Sequence, residues 1–389
     1  MTERKQVKDE TKLVTSGRDP KAHAGAVNTP VYHASTIIYP SLAAIRGTEK
    51  IPYTYGRRGT PTTTALQDAM NALEGADGTM LTPSGASAVS LAIMAALETG
   101  KHLLMVDSVY QPTRKLCDQL LTSFGIETEY YDPLIGGDIK NLIRDNTALI
   151  FMESPGSQTF EIQDVPAIVA AAQKAGVKTA IDNTWATPLH FRPLDFGVDF
   201  SILAATKYVV GHADALLGTV AANGENFERL QSVHGLIGYS VGPDDVFLAL
   251  RGLRTMPTRM KTHQQAALDI AAWLQDLDFV RRIYYPALPG APGHDLWQRD
   301  FTGAGGLFSI ELDPCSEEQL AAMLDNMRLF GMGYSWGGFE SLIVPCKIIR
   351  TAKKFETDGQ MLRLNIGLEH VDDLKADLSE GFERAGYGQ

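Results

Sequence analysis

Cysteine is scarce in this chain of 389 residues: Cys117, Cys315 and Cys346 are odd in number, far apart and contain no C-x-x-C pair. This excludes a disulfide framework and a thiolate metal cluster, and it fits a reducing cytoplasm. Long apolar runs are lacking as well. Met1 to Glu10 is charged and polar, without the apolar core of a leader, so the chain is expected to be cytoplasmic and to enter no membrane. Positive charge is in deficit, with 35 Lys and Arg against 46 Asp and Glu and a formal charge of -11, which gives no general attraction for a phosphate backbone. Nucleic acid is therefore not an expected partner. The nine histidines form no H-E-x-x-H or similar cluster, so no metal is expected. There is no G-x-x-x-x-G-K-[ST], and Gly303-Ala304-Gly305-Gly306 leads into a strand rather than a helix, so neither a nucleoside triphosphate nor a dinucleotide is favoured.

What is present is enough apolar sequence, 44%, to bury the core of two domains or more. Residues 1–59 mix polar and extended segments, with Pro30 and Pro40 and little helical period, and are expected to be an arm lying on another surface, either of the same subunit or of a neighbouring one. From residue 60 to 254 the pattern is that of a large α/β domain. Thr62 to Leu73, Ser84 to Leu97 and Val165 to Ala175 are expected helices. His102 to Val106, Ala148 to Met152, Val177 to Ile181 and Phe200 to Ala204 are short apolar runs expected to be strands of a mostly parallel sheet. Residues 255–389 are expected to form a smaller C-terminal α/β domain. Its expected elements are helices at Thr258 to Leu277 and Ser316 to Asn326, strands at Gly306 to Leu312 and Met361 to Ile366, and a last helix from Val371.

Open parallel sheets place ligands at the carboxyl ends of their strands, and three features stand there. Asp182 follows the strand ending at Ile181; alone, such a residue is more often a cap or a turn. Lys207 follows an apolar strand, where desolvation lowers the amine pKa and yields the partly neutral group that Schiff-base chemistry with an aldehyde requires, although most lysines are simply solvated. Ser84-Gly85-Ala86 opens a helix; it is either a plain N-cap or a phosphate seat built from exposed amides. A pyridine cofactor needs a carboxylate for its ring nitrogen and a lysine for its aldehyde, and Asp182 with Lys207 supplies both.

The stretches Tyr55-Gly56-Arg57-Arg58-Gly59-Thr60, Asp132-Pro133-Leu134-Ile135-Gly136, Glu153-Ser154-Pro155-Gly156-Ser157, Asp182-Asn183-Thr184-Trp185, Ala205-Thr206-Lys207-Tyr208-Val209-Val210-Gly211-His212, Tyr334-Ser335-Trp336-Gly337-Gly338 and Arg363-Leu364-Asn365-Ile366-Gly367-Leu368-Glu369 together resemble the Cys/Met-metabolism family of pyridoxal-phosphate enzymes over nearly the whole chain. The resemblance implies the aspartate-aminotransferase type of fold, fold type I, with pyridoxal 5'-phosphate as cofactor. It implies Lys207 as the Schiff-base lysine and later the base, Asp182 as partner of the pyridinium nitrogen, and Tyr110 as the aromatic that stacks on the ring. Gly85, Ala86 and Thr206 would contact the phosphate. Tyr55 and Arg57 would reach it from the neighbouring subunit, with Tyr55 also at the substrate, in a homotetramer built as a dimer of dimers. Arg363 would grip the substrate α-carboxylate with help from Ser335, and Trp336 would shape the pocket. The thiolate would be protonated by either Lys207 or Tyr110.

Within the family, Glu153-Ser154-Pro155-Gly156-Ser157-Gln158 stands where γ-acting branches usually read E-S-P-T-N-P, which favours the branch acting at the β carbon. The implied reaction is elimination of a sulfur amino acid, cystathionine giving homocysteine, pyruvate and ammonia in methionine synthesis, with cystine or cysteine as other substrates. A γ-acting relative is the nearer alternative and a cofactor-binding regulatory protein the remote one. Ala204 departs from the serine that many members carry beside the phosphate, which puts one hydroxyl contact in doubt. Residues 342–360 also depart, and Lys347, Arg350, Lys353 and Lys354 are expected to form a solvated face.

Overall fold

The structure, a computed structural model, describes residues 7–388. The first six residues of the expected arm and Gln389 lie outside the described residues. Among the described residues, eleven strands form two sheets. The larger contains β1 (Gly78–Thr82), β2 (His102–Val106), β3 (Glu127–Tyr131), β4 (Thr147–Glu153), β5 (Lys178–Asp182), β6 (Phe200–Leu203) and β7 (Gly218–Ala222), in the order β1-β7-β6-β5-β4-β2-β3. Only β7 runs against its neighbours, β1 and β6. The four strands expected from apolar runs occupy the centre, and Phe151, Ile181 and Ile202 are wholly buried. Each such side chain contributes about 1.5–3 kcal/mol of transfer free energy.

The smaller sheet is antiparallel throughout, with β8 (Val280–Tyr284), β9 (Leu307–Leu312), β10 (Leu342–Pro345) and β11 (Gln360–Asn365) in the order β10-β11-β9-β8. Helices Glu317–Leu324 and Val371–Arg384 accompany it. The fold is thus the expected α/β architecture with a mostly parallel large sheet.

One expectation is corrected here. The helix expected to open at Thr258 instead runs from Pro243 to Gln275 and carries Pro257 inside it. An internal proline forfeits one helical hydrogen bond and crowds the preceding turn. Burial of Leu250, Leu253, Met256 and Met260 along the same stretch outweighs that cost. The residue 254/255 division therefore falls within a continuous helix, not in a linker. Near the N-terminus, helix Asp9–Thr15 inserts Leu13 among Leu66, Ala69, Met70 and Leu73 of helix Pro61–Glu74.

Candidate active site

The carboxyl ends of β4, β5 and β6 open into a cavity of about 350 Å³ lined by, among others, Gly85, Tyr110, Asp182, Lys207, Trp336 and Arg363. Register explains part of the assembly: Glu153 and Asp182, the last residues of β4 and β5, are direct cross-strand partners. Two buried carboxylates side by side disfavour joint ionisation. Burial first, and Asp182 second, push Glu153 well above the usual carboxylate range, while the Tyr110 N–H and the Arg350 charge oppose this. Asp182 is also raised, by burial, against the hydrogen bonds of Thr184 and the charge of Lys207. Thr184 donates to Asp182 Oδ1 from its hydroxyl at 2.5 Å and its amide at 3.0 Å, and its hydroxyl accepts the Ala204 N–H at 2.8 Å. These bonds fix the carboxyl group, and no donor among the described residues reaches Oδ2.

Lys207 sits in the turn after β6 and donates from Nζ to Ser335 Oγ at 2.8 Å, with the Trp336 ring centre 5.3 Å from Nζ. Burial and then the Arg363 charge lower its pKa to about 8, against the pull of Asp182. Arg363, on β11, is buried; its guanidinium donates to the carbonyls of Tyr334 at 2.9 Å and Ser335 at 3.3 Å. Ser335 thus meets Arg363 through its carbonyl and Lys207 through its hydroxyl. The edge of Trp336 packs on Tyr208, ring centres 5.5 Å apart, which seats the tryptophan at the pocket wall. Tyr110 is half exposed and its N–H donates to Glu153 Oε2 at 2.8 Å. Burial and then Glu153 raise its phenol above 10, so at neutral pH it holds its proton.

Helix Gly85–Ala96 begins at the pocket, capped by Ser84 and Ser87 in a reciprocal box. The cap satisfies the Ser87 amide, and the N–H groups of Gly85 and Ala86 have no intrahelical acceptor. A Cβ on Gly85 would lie 2.4 Å from the Ala204 Cβ, so glycine permits the helix end to rest on the turn that carries Lys207. The hydroxyl of Thr206 is engaged elsewhere, donating to Leu217 O at 3.2 Å and accepting from Leu217 N at 3.0 Å. Tyr55 and Arg57 do not line this chain's pocket; Tyr55 is exposed and Arg57 donates to Gly235 O at 3.3 Å.

The residues present fit pyridoxal phosphate: an amine of lowered pKa for the aldehyde, a fixed buried carboxyl group with a free oxygen for the ring nitrogen, and unpaired helix amides for the phosphate. Fold and donor set define an α/β enzyme built around an aldehyde-bearing pyridine cofactor. A model of the Cys/Met metabolism PLP-dependent enzyme family matches residues 10–383, and the chain belongs to that family. It is 52% identical over 380 residues to a putative cystathionine beta-lyase of Rhizobium johnstonii, covering 96% of each chain. It is 45% identical to the cystathionine beta-lyase MetC of Escherichia coli, covering 96% of this chain and 98% of that one. Among solved structures, cystathionine gamma synthase of Xanthomonas oryzae pv. oryzae in complex with aminoacrylate and cysteine matches with a TM-score of 0.90 and 32% identity, over 98% of this chain and 99% of that one.

Sequence reasoning missed several contributors. Glu153 entered only as part of a motif, although it ends an apolar strand just as Asp182 does. Asp107, wholly buried after β2, went unremarked. Arg350 is a correction: its side chain is 7% exposed and pairs with Glu161 at 2.8 Å, because backbone and side-chain acceptors of the large unit enclose it. Lys347, Lys353 and Lys354 are exposed.

Proposed function

We propose that the enzyme eliminates the β substituent of L-cystathionine, giving homocysteine, pyruvate and ammonia, and so serves methionine synthesis. The observation that carries the reading is Lys207: a half-buried amine with pKa about 8, held by Ser335 in a pocket that also contains Arg363 and Asp182. The β-lyase names of the relatives at 52% and 45% identity favour the β carbon.

Bound at this site, pyridoxal phosphate supplies an electron sink that stabilises negative charge at the substrate α carbon. Lys207 would hold it, Asp182 would face its ring nitrogen, Tyr110 its flat face, and Gly85 and Ala86 its phosphate; Thr206 would have to release Leu217 to add its hydroxyl. Arg363 would take the α-carboxylate through its planar fork, already oriented by the carbonyls of Tyr334 and Ser335. Lys207, once free, would remove the α proton and then deliver a proton to the departing sulfur. Its pKa near 8 suits proton exchange with a thiolate better than the raised phenol of Tyr110 does. With one water, the released three-carbon fragment gives pyruvate and ammonia. Trp336 would bound the substrate space.

In the same reading, residues 1–59 are an arm through which Tyr55 and Arg57 complete a neighbour's site, Tyr55 also facing its substrate. The exposed apolar side chains of Ile38, Leu42 and Ile45 along the arm support this. A cytoplasmic homotetramer is the assembly proposed, and light scattering is expected to give fourfold the 42.3 kDa of one chain. The direct test is to incubate the cofactor-loaded protein with L-cystathionine and identify products by mass spectrometry. Homocysteine with pyruvate is expected; cysteine with 2-oxobutanoate would overturn the β assignment in favour of γ elimination.

A further inference from the structure

Two adjacent antiparallel strands need about 2–5 residues to join them, yet β10 and β11 are joined by residues 346–359. The surplus crosses to the larger sheet. There the Asp107 carboxylate accepts the N–H of Thr351 at 2.8 Å, the N–H of Ala352 at 2.8 Å and the Thr351 hydroxyl at 3.0 Å, while Arg114 closes on its other side at 2.5 Å. Asp107 lies three residues before Tyr110.

Arg350 makes the second attachment. It donates to the Asp107 carbonyl at 2.6 Å, to Thr159 Oγ1 at 2.5 Å and to Glu161 Oε1 at 2.8 Å, while the Thr159 hydroxyl donates to Glu161 Oε2 at 2.5 Å. Thr159 and Glu161 belong to the wall segment whose Pro155, Gly156, Ser157, Gln158 and Phe160 line the pocket. This wall is not relaxed: Gln158 and Phe160 hold left-handed backbone conformations with φ of 66° and 55°. Non-glycine residues stay there only when their surroundings impose it. A buried ion pair is weak support for overall stability, and this one joins the Tyr110 turn to the strained wall.

We propose that Asp107 and Arg350 are positioning residues, through which the 346–354 segment sets Tyr110 and the wall at residues 155–160 in the geometry the reaction needs. The proposal rests on the reading of the site given above. Neither residue lines the pocket; both act through others.

The test uses the cofactor-loaded enzyme. In Arg350→Ala, kcat/KM for L-cystathionine is expected to fall about 10- to 100-fold, the scale of a small misplacement of reacting groups. Cofactor content should stay at the wild-type level while its visible circular dichroism band changes as Tyr110 shifts. Arg350→Lys should not rescue, since one ammonium cannot span three acceptors. Glu161→Gln combined with Arg350→Ala should cost no more than Arg350→Ala alone. Wild-type kcat/KM and an unchanged dichroism band in Arg350→Ala, even with a lowered melting temperature, would overturn the proposal and leave a structural tie. Should Arg350→Ala not fold, Thr159→Val, which removes one acceptor, carries the same two readouts. If the wild-type enzyme does not act on L-cystathionine, the functional reading fails, while the dichroism band, which needs no substrate, still decides this proposal.

Discussion

The two edges of the large sheet carry similar residues in opposite circumstances. At the amino edge of β2, β3 and β4, Arg144 pairs with Glu127 at 2.6 Å and with Glu129, and His102 is bonded to Thr147 at 2.8 Å. Arg144 is open to water and pairs with both carboxylates. Glu127 is held below the usual carboxylate range by its hydrogen bond to Arg144. At the carboxyl edge, Glu153, Asp182 and Lys207 are driven the other way by burial, the acids upward and the amine downward. Charge at the first edge is solvated and paired, and so contributes little. At the second it is desolvated and not ion-paired, a cost to folding that leaves groups ready to exchange protons and bind a cofactor.

Disabling the carboxyl edge should have the largest effect. Lys207→Ala is expected to lower kcat by about 10⁴-fold, the upper range for a positioned acid-base group, together with loss of the cofactor's imine absorption in the visible spectrum. Arg363→Lys keeps the charge but loses the fork. Steady-state kinetics should show kcat/KM reduced about 10- to 100-fold, mainly through KM, the equivalent of one charged hydrogen bond.

The two edges also differ in how they respond to pH. Because the Lys207 pKa is lowered to about 8, its neutral fraction rises as pH increases toward that value and levels above it. Covalent capture of pyridoxal phosphate by the cofactor-free protein, followed by absorbance, should therefore accelerate about tenfold per pH unit below 8 and plateau beyond. A rate that keeps rising about tenfold per unit from pH 8 to pH 10, as an ordinary lysine would give, would contradict the desolvated amine. At the other edge, Glu127→Gln should leave kcat/KM and the melting temperature at wild-type values, and a measurable loss of activity would break the distinction between the edges.

The central strands were legible because complete burial on both faces leaves uninterrupted apolar runs, as in His102 to Val106. Strand β3, Glu-Thr-Glu-Tyr-Tyr, lies at the sheet edge with one wholly buried residue, so its pattern carries no such signal. Strands β1 (Gly-Thr-Met-Leu-Thr) and β7 (Gly-Thr-Val-Ala-Ala) are buried, but Gly and Thr in the first and Gly, Thr and Ala in the second dilute the apolar run. Asp182 could be found because it ends an apolar strand and Lys207 because it follows one, and the family resemblance then supplied Tyr110 and Arg363. The Arg350 environment could not be found that way: its acceptors, Asp107, Thr159 and Glu161, are about 190 to 240 residues away in sequence. Long-range polar partners leave no periodicity to read.

In the proposed enzyme Lys207, and no other amine, carries the cofactor. Borohydride reduction of the cofactor-loaded protein, followed by digestion and mass spectrometry, tests it directly. The reduced pyridoxyl group is expected on the peptide containing Thr206-Lys207-Tyr208; finding it on a different lysine, with Lys207 unmodified, would overturn the assignment.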